Sequence, residues 1–189
     1  TPVAATIAGG ASATFTWTYN TLTSGTITFS SNATGTDENS ALVKTSAAAV
    51  SNSVVIQTPA ALTSVITASP AAVGLTENIT VVMAVTNNGQ ATANAVVPSA
   101  LVTSGTGTVT LTSAAPVASV IAGGATVNYT WVYSADAIGT AIFEGTAAGT
   151  DANSAAAVSA VNATSNTVMI QPNYPVMTNY VNVTPGTVN

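Results

Sequence analysis

The chain has 189 residues, a formal net charge of −5, six acids, one lysine, and no arginine, histidine or cysteine. Charged residues are 4% of it, against a usual share of roughly a quarter, so Thr, Ser, Ala, Val and Gly must form the surface as well as the core. These counts exclude disulfides, thiol or imidazole chemistry, metal centres built on Cys or His, and, for want of cations to meet phosphate, nucleic acid as a partner.

Taken from the N-terminus, residues 9–19 place Phe15, Trp17 and Tyr19 at alternate positions, with Thr16 and Thr18 between them. A period of two predicts a strand with one buried face. Further on, residues 62–68 read as a strand and 70–74 as a turn. Ile79, Val81, Met83 and Val85 then share one face of a strongly alternating strand, closed by a turn at Asn87-Asn88-Gly89. Residues 93–102 form an extended segment that Pro98 marks as an edge or a bulge. A short strand carries Val109 and Leu111. The second tryptophan strand follows with Val127, Tyr129, Trp131 and Tyr133 on one face, then 139–145 with Ala141 and Phe143 inward, and last 164–171. No stretch sustains a helical period, and no apolar run is long enough to span a bilayer. About seven short strands in about 114 residues, punctuated by Gly, Pro and Asn, predict an all-β fold of immunoglobulin-like β-sandwich domains in tandem.

The two tryptophans lie 114 residues apart, and the same offset holds without a gap from Pro2 to Gln57. It pairs Ile7 with Ile121, Gly25 with Gly139, Phe29 with Phe143, Gly35-Thr36-Asp37 with Gly149-Thr150-Asp151, and Ile56-Gln57 with Ile170-Gln171. Roughly half of the paired positions are identical, which marks an internal duplication. Residues 1–57 therefore read as the second half of a repeat, 58–171 as a complete repeat, and 172–189 as a linker, the first strand of a further repeat or a donor strand. Val181-Asn182-Val183-Thr184-Pro185 resembles Ile66-Thr67-Ala68-Ser69-Pro70. The chain begins inside a repeat, so an export signal ahead of Thr1 is compatible with it.

Ser69-Pro70, Val85-Thr86-Asn87-Asn88-Gly89, Ile121-Ala122-Gly123-Gly124, Thr130-Trp131-Val132-Tyr133 and Gly149-Thr150-Asp151-Ala152-Asn153-Ser154 together resemble the CARDB and DUF11-like immunoglobulin-type repeats of large prokaryotic surface proteins. The resemblance implies tandem domains in stalks, adhesins and fibres, outside the cell or on its surface. It carries no catalytic residues.

The remaining candidate sites each have a plainer reading. Asp37-Glu38-Asn39 and Asp151-Ala152-Asn153 set oxygen-bearing side chains at alternate positions, as a calcium loop does, yet lack the glycine and the closing acid of an EF-hand. A turn in which Asp and Asn bond their own backbone accounts for the repetition without a metal. Sequons at Asn32, Asn78, Asn128, Asn162 and Asn182 number five, whereas 16 asparagines among 52 serines and threonines give about four by chance. Glycans on them would shield sheet edges that have few charges to guard them. Lys44 would be the amine of an isopeptide crosslink, but its counterpart is Val158, and an exposed lysine guarding an edge is the simpler reading. Glu144 and Asp151 would be the acid pair of a glycosidase, and the plainer reading is two surface carboxylates on adjacent strands.

The functional expectation rests on the phase of the repeat. Half a sandwich leaves Phe15, Trp17 and Tyr19 in water and strand edges unpaired, so other polypeptide must complete it. That polypeptide is either contiguous in an array or a neighbouring copy donating strands, for which Tyr174, Val176, Tyr180, Val181 and Val183 of the tail are candidates. The tail has 18 residues where a half repeat has about 57, so it supplies at most one or two strands, which favours a contiguous array or a leading domain rearranged into a shorter sandwich. The sequence thus predicts a non-enzymatic structural subunit of an extracellular filament or long cell-surface stalk, without cofactor, partnered head to tail by copies of itself. The alternative is an adhesin or carbohydrate-binding module.

Overall fold

The structure, a computed structural model, describes residues 2–173. The chain divides between Thr58 and Pro59 into two compact units. The described residues are all-β and contain no helix, hence none long and apolar enough to cross a membrane.

The first unit carries six short strands: β1 (Gly25–Ile27), β2 (Ser30–Ser31), β3 (Thr34–Thr36), β4 (Val43–Thr45), β5 (Ala49–Val50) and β6 (Val54–Ile56). They pair concentrically and antiparallel, β1 with β6, β2 with β5 and β3 with β4, as one long interrupted hairpin. At each interruption the returning strand has one residue more than its partner, which is a bulge. A serine occupies each bulge: Ser51 Oγ accepts from the Phe29 N–H at 2.9 Å and Ser46 Oγ from the Ala33 N–H at 3.0 Å. The hydroxyls thus satisfy backbone donors that the broken ladder leaves over.

The second unit carries thirteen strands. They are β7 (Leu62–Ser69), β8 (Ala72–Gly74), β9 (Asn78–Asn87), β10 (Ala93–Pro98), β11 (Val102–Ser104), β12 (Thr108–Leu111), β13 (Ser119–Ile121), β14 (Thr126–Ala137), β15 (Gly139–Gly145), β16 (Ala147–Asp151), β17 (Ala157–Ser159), β18 (Ala163–Thr164) and β19 (Val168–Gln171). One layer is the antiparallel sheet β12-β14-β9-β7. The opposing layer has two parts, β13-β10-β16-β17 and β11-β15-β19-β8, with β18 also pairing β15. This is an immunoglobulin-like β-sandwich.

Its core follows from the alternation. Along β9 the odd positions Ile79, Val81, Met83 and Val85 are fully buried, and they stand opposite Tyr133, Trp131, Tyr129 and Val127 of β14. From the other layer, Ala141 and Phe143 of β15 and Val168 and Ile170 of β19 close on them, with the Phe143 ring 4.8 Å from that of Tyr133. The outward face of the same sheet reads Thr63, Thr86 and Thr126 across one rung, with the Thr86 and Thr126 hydroxyls 2.7 Å apart. Cross-strand threonines hold the surface here, where other sheets use ion pairs.

Several expectations are corrected. Residues 70–74 are not only a turn, since β8 pairs in parallel with β19. β10 is an interior strand rather than an edge; its bulge lies before Pro98, where the register slips between Asn94 and Val97 and Ala95 takes a φ of 50°. Asp151 is not a surface carboxylate: it is 2% exposed at the end of β16, and β16 is not a neighbour of the strand that holds Glu144. Residues 13–19 form no strand, because the ladder partner that β14 finds in β9 has no counterpart among the described residues of the first unit.

Candidate functional site

The duplication holds at the level of register. β1–β6 reproduces β15–β19, β2–β5 reproduces β15–β18, and β3–β4 reproduces β16–β17, residue for residue at the offset of 114. The aromatic pair is reproduced too, with the rings of Tyr19 and Phe29 stacked at 4.6 Å. Those three ladders are the ones in the second unit whose strands both lie within 116–171. Six others join 116–171 to 58–115: β8–β19, β9–β14, β10–β13, β10–β16, β11–β15 and β12–β14. Among the described residues none of the six has an equivalent in the first unit.

The consequence is an open apolar face. Trp17 is 49% exposed where Trp131 is 2%, and Val54 is 43% exposed where Val168 is 0%. Ile7 and Tyr19 are likewise exposed, and Phe15 is half-buried. A concavity of ≈ 400 Å³ lies in this unit, lined among others by Tyr19, Leu22, Ile27 and Ile56. Of the sequence-predicted completion positions, Trp17 and Tyr19 are exposed, Phe15 is half-buried, and Tyr19 stacks on Phe29. Tyr174, Val176, Tyr180, Val181 and Val183 lie outside the described residues.

Two polar devices join the halves of the second unit; the backbone-bonded turn at Asp151 matches the sequence expectation, whereas its reach to Ala60 and the grip of Asn166 on Ala68 do not follow from sequence. Asp151 Oδ1 accepts from the N–H of Asn153 and Ser154 and from the Ser154 hydroxyl, closing a turn in which Ala155 has a φ of 57°. Its Oδ2 accepts from the Ala60 N–H at 2.7 Å, across to the leading half. The Ala60 N–H, then the Ser154 donors, hold the carboxyl well down, at about 2. In the second device the Asn166 side chain grips one residue of β7, accepting from the Ala68 N–H at 2.9 Å and donating to the Ala68 carbonyl at 3.0 Å.

The first unit repeats the turn but not the reach. Asp37 Oδ1 accepts from the Ser40 N–H and hydroxyl at 2.8 and 2.7 Å, and Ala41 has a φ of 56°. Ser40, through its hydroxyl first, lowers the Asp37 carboxyl. Among the described residues of that unit none plays the part of Ala60, and the Asn52 side chain donates to the adjacent Ser53 carbonyl at 3.5 Å. The signal for both devices was in the sequence, since Asp, Ser and Asn are identical at the offset; it pointed to backbone partners that only coordinates reveal.

In both Asp turns the Oδ1 oxygen is occupied by N–H and O–H donors, the arrangement of an Asx turn rather than of a cation loop. No group of three or more acidic side chains converges among the described residues. The sequons at Asn32, Asn78, Asn128 and Asn162 are all exposed, and Asn182 lies outside the described residues. Lys44 is exposed on β4, opposite Gly35 of β3. Glu144 of β15 is half-buried opposite Val102 of β11.

No family model matches the chain, and no curated protein matches it. Among solved structures, it is similar to native alpha-2-macroglobulin from Escherichia coli, in a crystal structure spanning domain MG7 to the C-terminus. The identity is 17% and the TM-score 0.49, over 61% of this chain and 17% of that one.

Proposed function

We propose that the chain is a length of an extracellular filament or long cell-surface stalk, assembled head to tail from immunoglobulin-like units and acting structurally rather than as an enzyme. The observation that supports this is the open apolar face of residues 2–58, built on the same register as a face that is covered in residues 59–173. Large apolar side chains held about half in water, as those of Ile7, Trp17, Tyr19 and Val54 are, favour association with a partner that covers them. The near absence of charge removes long-range repulsion between neighbouring units, so end-to-end and lateral contacts form at little electrostatic cost. The likeness of the Gly-Gly, Trp-strand and Asp-turn motifs to CARDB and DUF11-like repeats supports a surface location and tandem arrangement. Electron microscopy of native material tests it: fibres with a regular axial repeat are expected, and dispersed globular particles would overturn it.

A second reading, an adhesin or carbohydrate-binding module, is favoured by the exposure of Trp17 and Tyr19, the latter lining a concavity, since sugars stack on such rings. Glycan-array binding that is lost in Trp17→Ala and Tyr19→Ala would establish it in place of the first.

A further inference from the structure

We propose that the open face of residues 2–58 is a docking surface for a leading half-repeat, a segment with the sequence character of residues 58–115 drawn from another copy of the repeat. The proposal deepens the head-to-tail reading by naming what covers the face. It rests on glycines whose need is not met within their own unit.

Gly123 and Gly149 are required in the second unit. A Cβ on Gly123 would collide with the Gln90 carbonyl, and one on Gly149 would lie 2.7 Å from the Asn94 carbonyl oxygen and 2.8 Å from Val96 Cγ2. Gln90, Asn94 and Val96 all belong to the leading half. Gly9 and Gly35, their counterparts, have nothing within 4 Å of a Cβ, and neither holds a φ that only glycine favours. The first unit has no local use for glycine at either place. Both are recesses shaped to a backbone of the Gln90–Val96 type, as a lock keeps the form of its key.

The polar rim repeats the message. Asn52 and Asp37 occupy the positions from which Asn166 grips Ala68 and Asp151 receives Ala60. The apolar surface does so as well: Ile7, Trp17 and Val54 correspond to Ile121, Trp131 and Val168, which are buried under the leading half and the sandwich it completes. Steric recess, hydrogen-bond clamp and apolar face thus specify the same occupant.

The test extends the full chain by placing residues 58–114 directly ahead of Thr1, which stands at the position of Ala115. Trp17 is read in a Trp131→Phe background, and amide exchange of residues 13–19 is read without that substitution, so that a poorly folding variant does not decide the matter. Docking is expected to shift Trp17 emission to the blue, shield it from acrylamide, and raise amide protection on the order of a hundredfold or more. Gly35→Val is expected to leave the unextended chain unchanged and to abolish the gain in the extended one. Asn52→Ala is expected to lower the midpoint of the new unfolding transition by about 5 °C while leaving the unextended chain alone. An extension that leaves Trp17 as quenchable as before overturns the proposal, and so does a Gly35→Val chain that docks as well as the parent. Either result leaves the imaging test of a fibre standing separately.

Discussion

Asp151 shows how one carboxylate can join two halves of a domain. Its Oδ1 shapes a local turn while its Oδ2 receives the Ala60 N–H from 91 residues away. Because the folded carboxyl titrates at about 2 instead of the ordinary 3.8, the ionised form stabilises the fold above pH of about 4. That contribution is lost as pH falls through the folded value. Thermal unfolding of the second unit should therefore lose stability between pH of about 4 and about 2. An Asp151→Asn chain should start lower at neutral pH and lack most of that acid dependence, as followed by circular dichroism. Asn87 is a second buried joint: its Oδ1 accepts from Ala61 and Gly89 N–H groups, and its Nδ2 donates to the Ala91 and Ile121 carbonyls. Replacing it with Ala would strand several of these groups, at a cost of about 1–3 kcal/mol for each that water cannot reach. Urea unfolding should report a loss of at least about 2 kcal/mol.

At the scale of elements, β14 and residues 12–23 are near copies that reach different outcomes. β14 has β9 on one side and β12 on the other, and it buries Trp131; residues 12–23 have neither neighbour in their unit and leave Trp17 half in water. Strand propensity alone does not make a strand, because the ladder partner supplies the hydrogen bonds. Phe143→Ala, at a fully buried ring, should cost about 3–5 kcal/mol, whereas Trp17→Ala in the unextended chain should change stability by about 0.5 kcal/mol or less. Denaturant titration of both variants checks the contrast. The large-residue strands were legible in the sequence, since Ile79 to Val85 and Tyr129 to Tyr133 alternate against threonine, valine and alanine. β16, β17 and β8 were not, because Ala147-Ala148-Gly149-Thr150 and Ala72-Val73-Gly74 offer almost no contrast between faces. Burial of Asp151 was equally hidden: an acid in a turn motif reads as exposed until the backbone N–H that receives it is located.

For the whole molecule, the two units should differ in stability. The second has a closed core, whereas the first is a bulged hairpin whose apolar residues are largely exposed. Hydrogen exchange should show amides of 25–56 exchanging well before those of 79–85 and 127–133. Ionic strength should matter little to either. With one lysine and six acids there is little charge to screen, so raising salt from about 0.05 M to about 1 M should shift the unfolding midpoint by no more than about 2 °C.

The parallel pairing of β8 with β19 has a mechanical consequence. Ala72–Gly74 lies early in the described part of the second unit and Val168–Gln171 late in it, so tension applied across these residues pulls the two strands past each other lengthwise. Their rungs then resist together, in shear, instead of parting one at a time like a zip. A repeat joined in series through such a clasp bears load where it is tied.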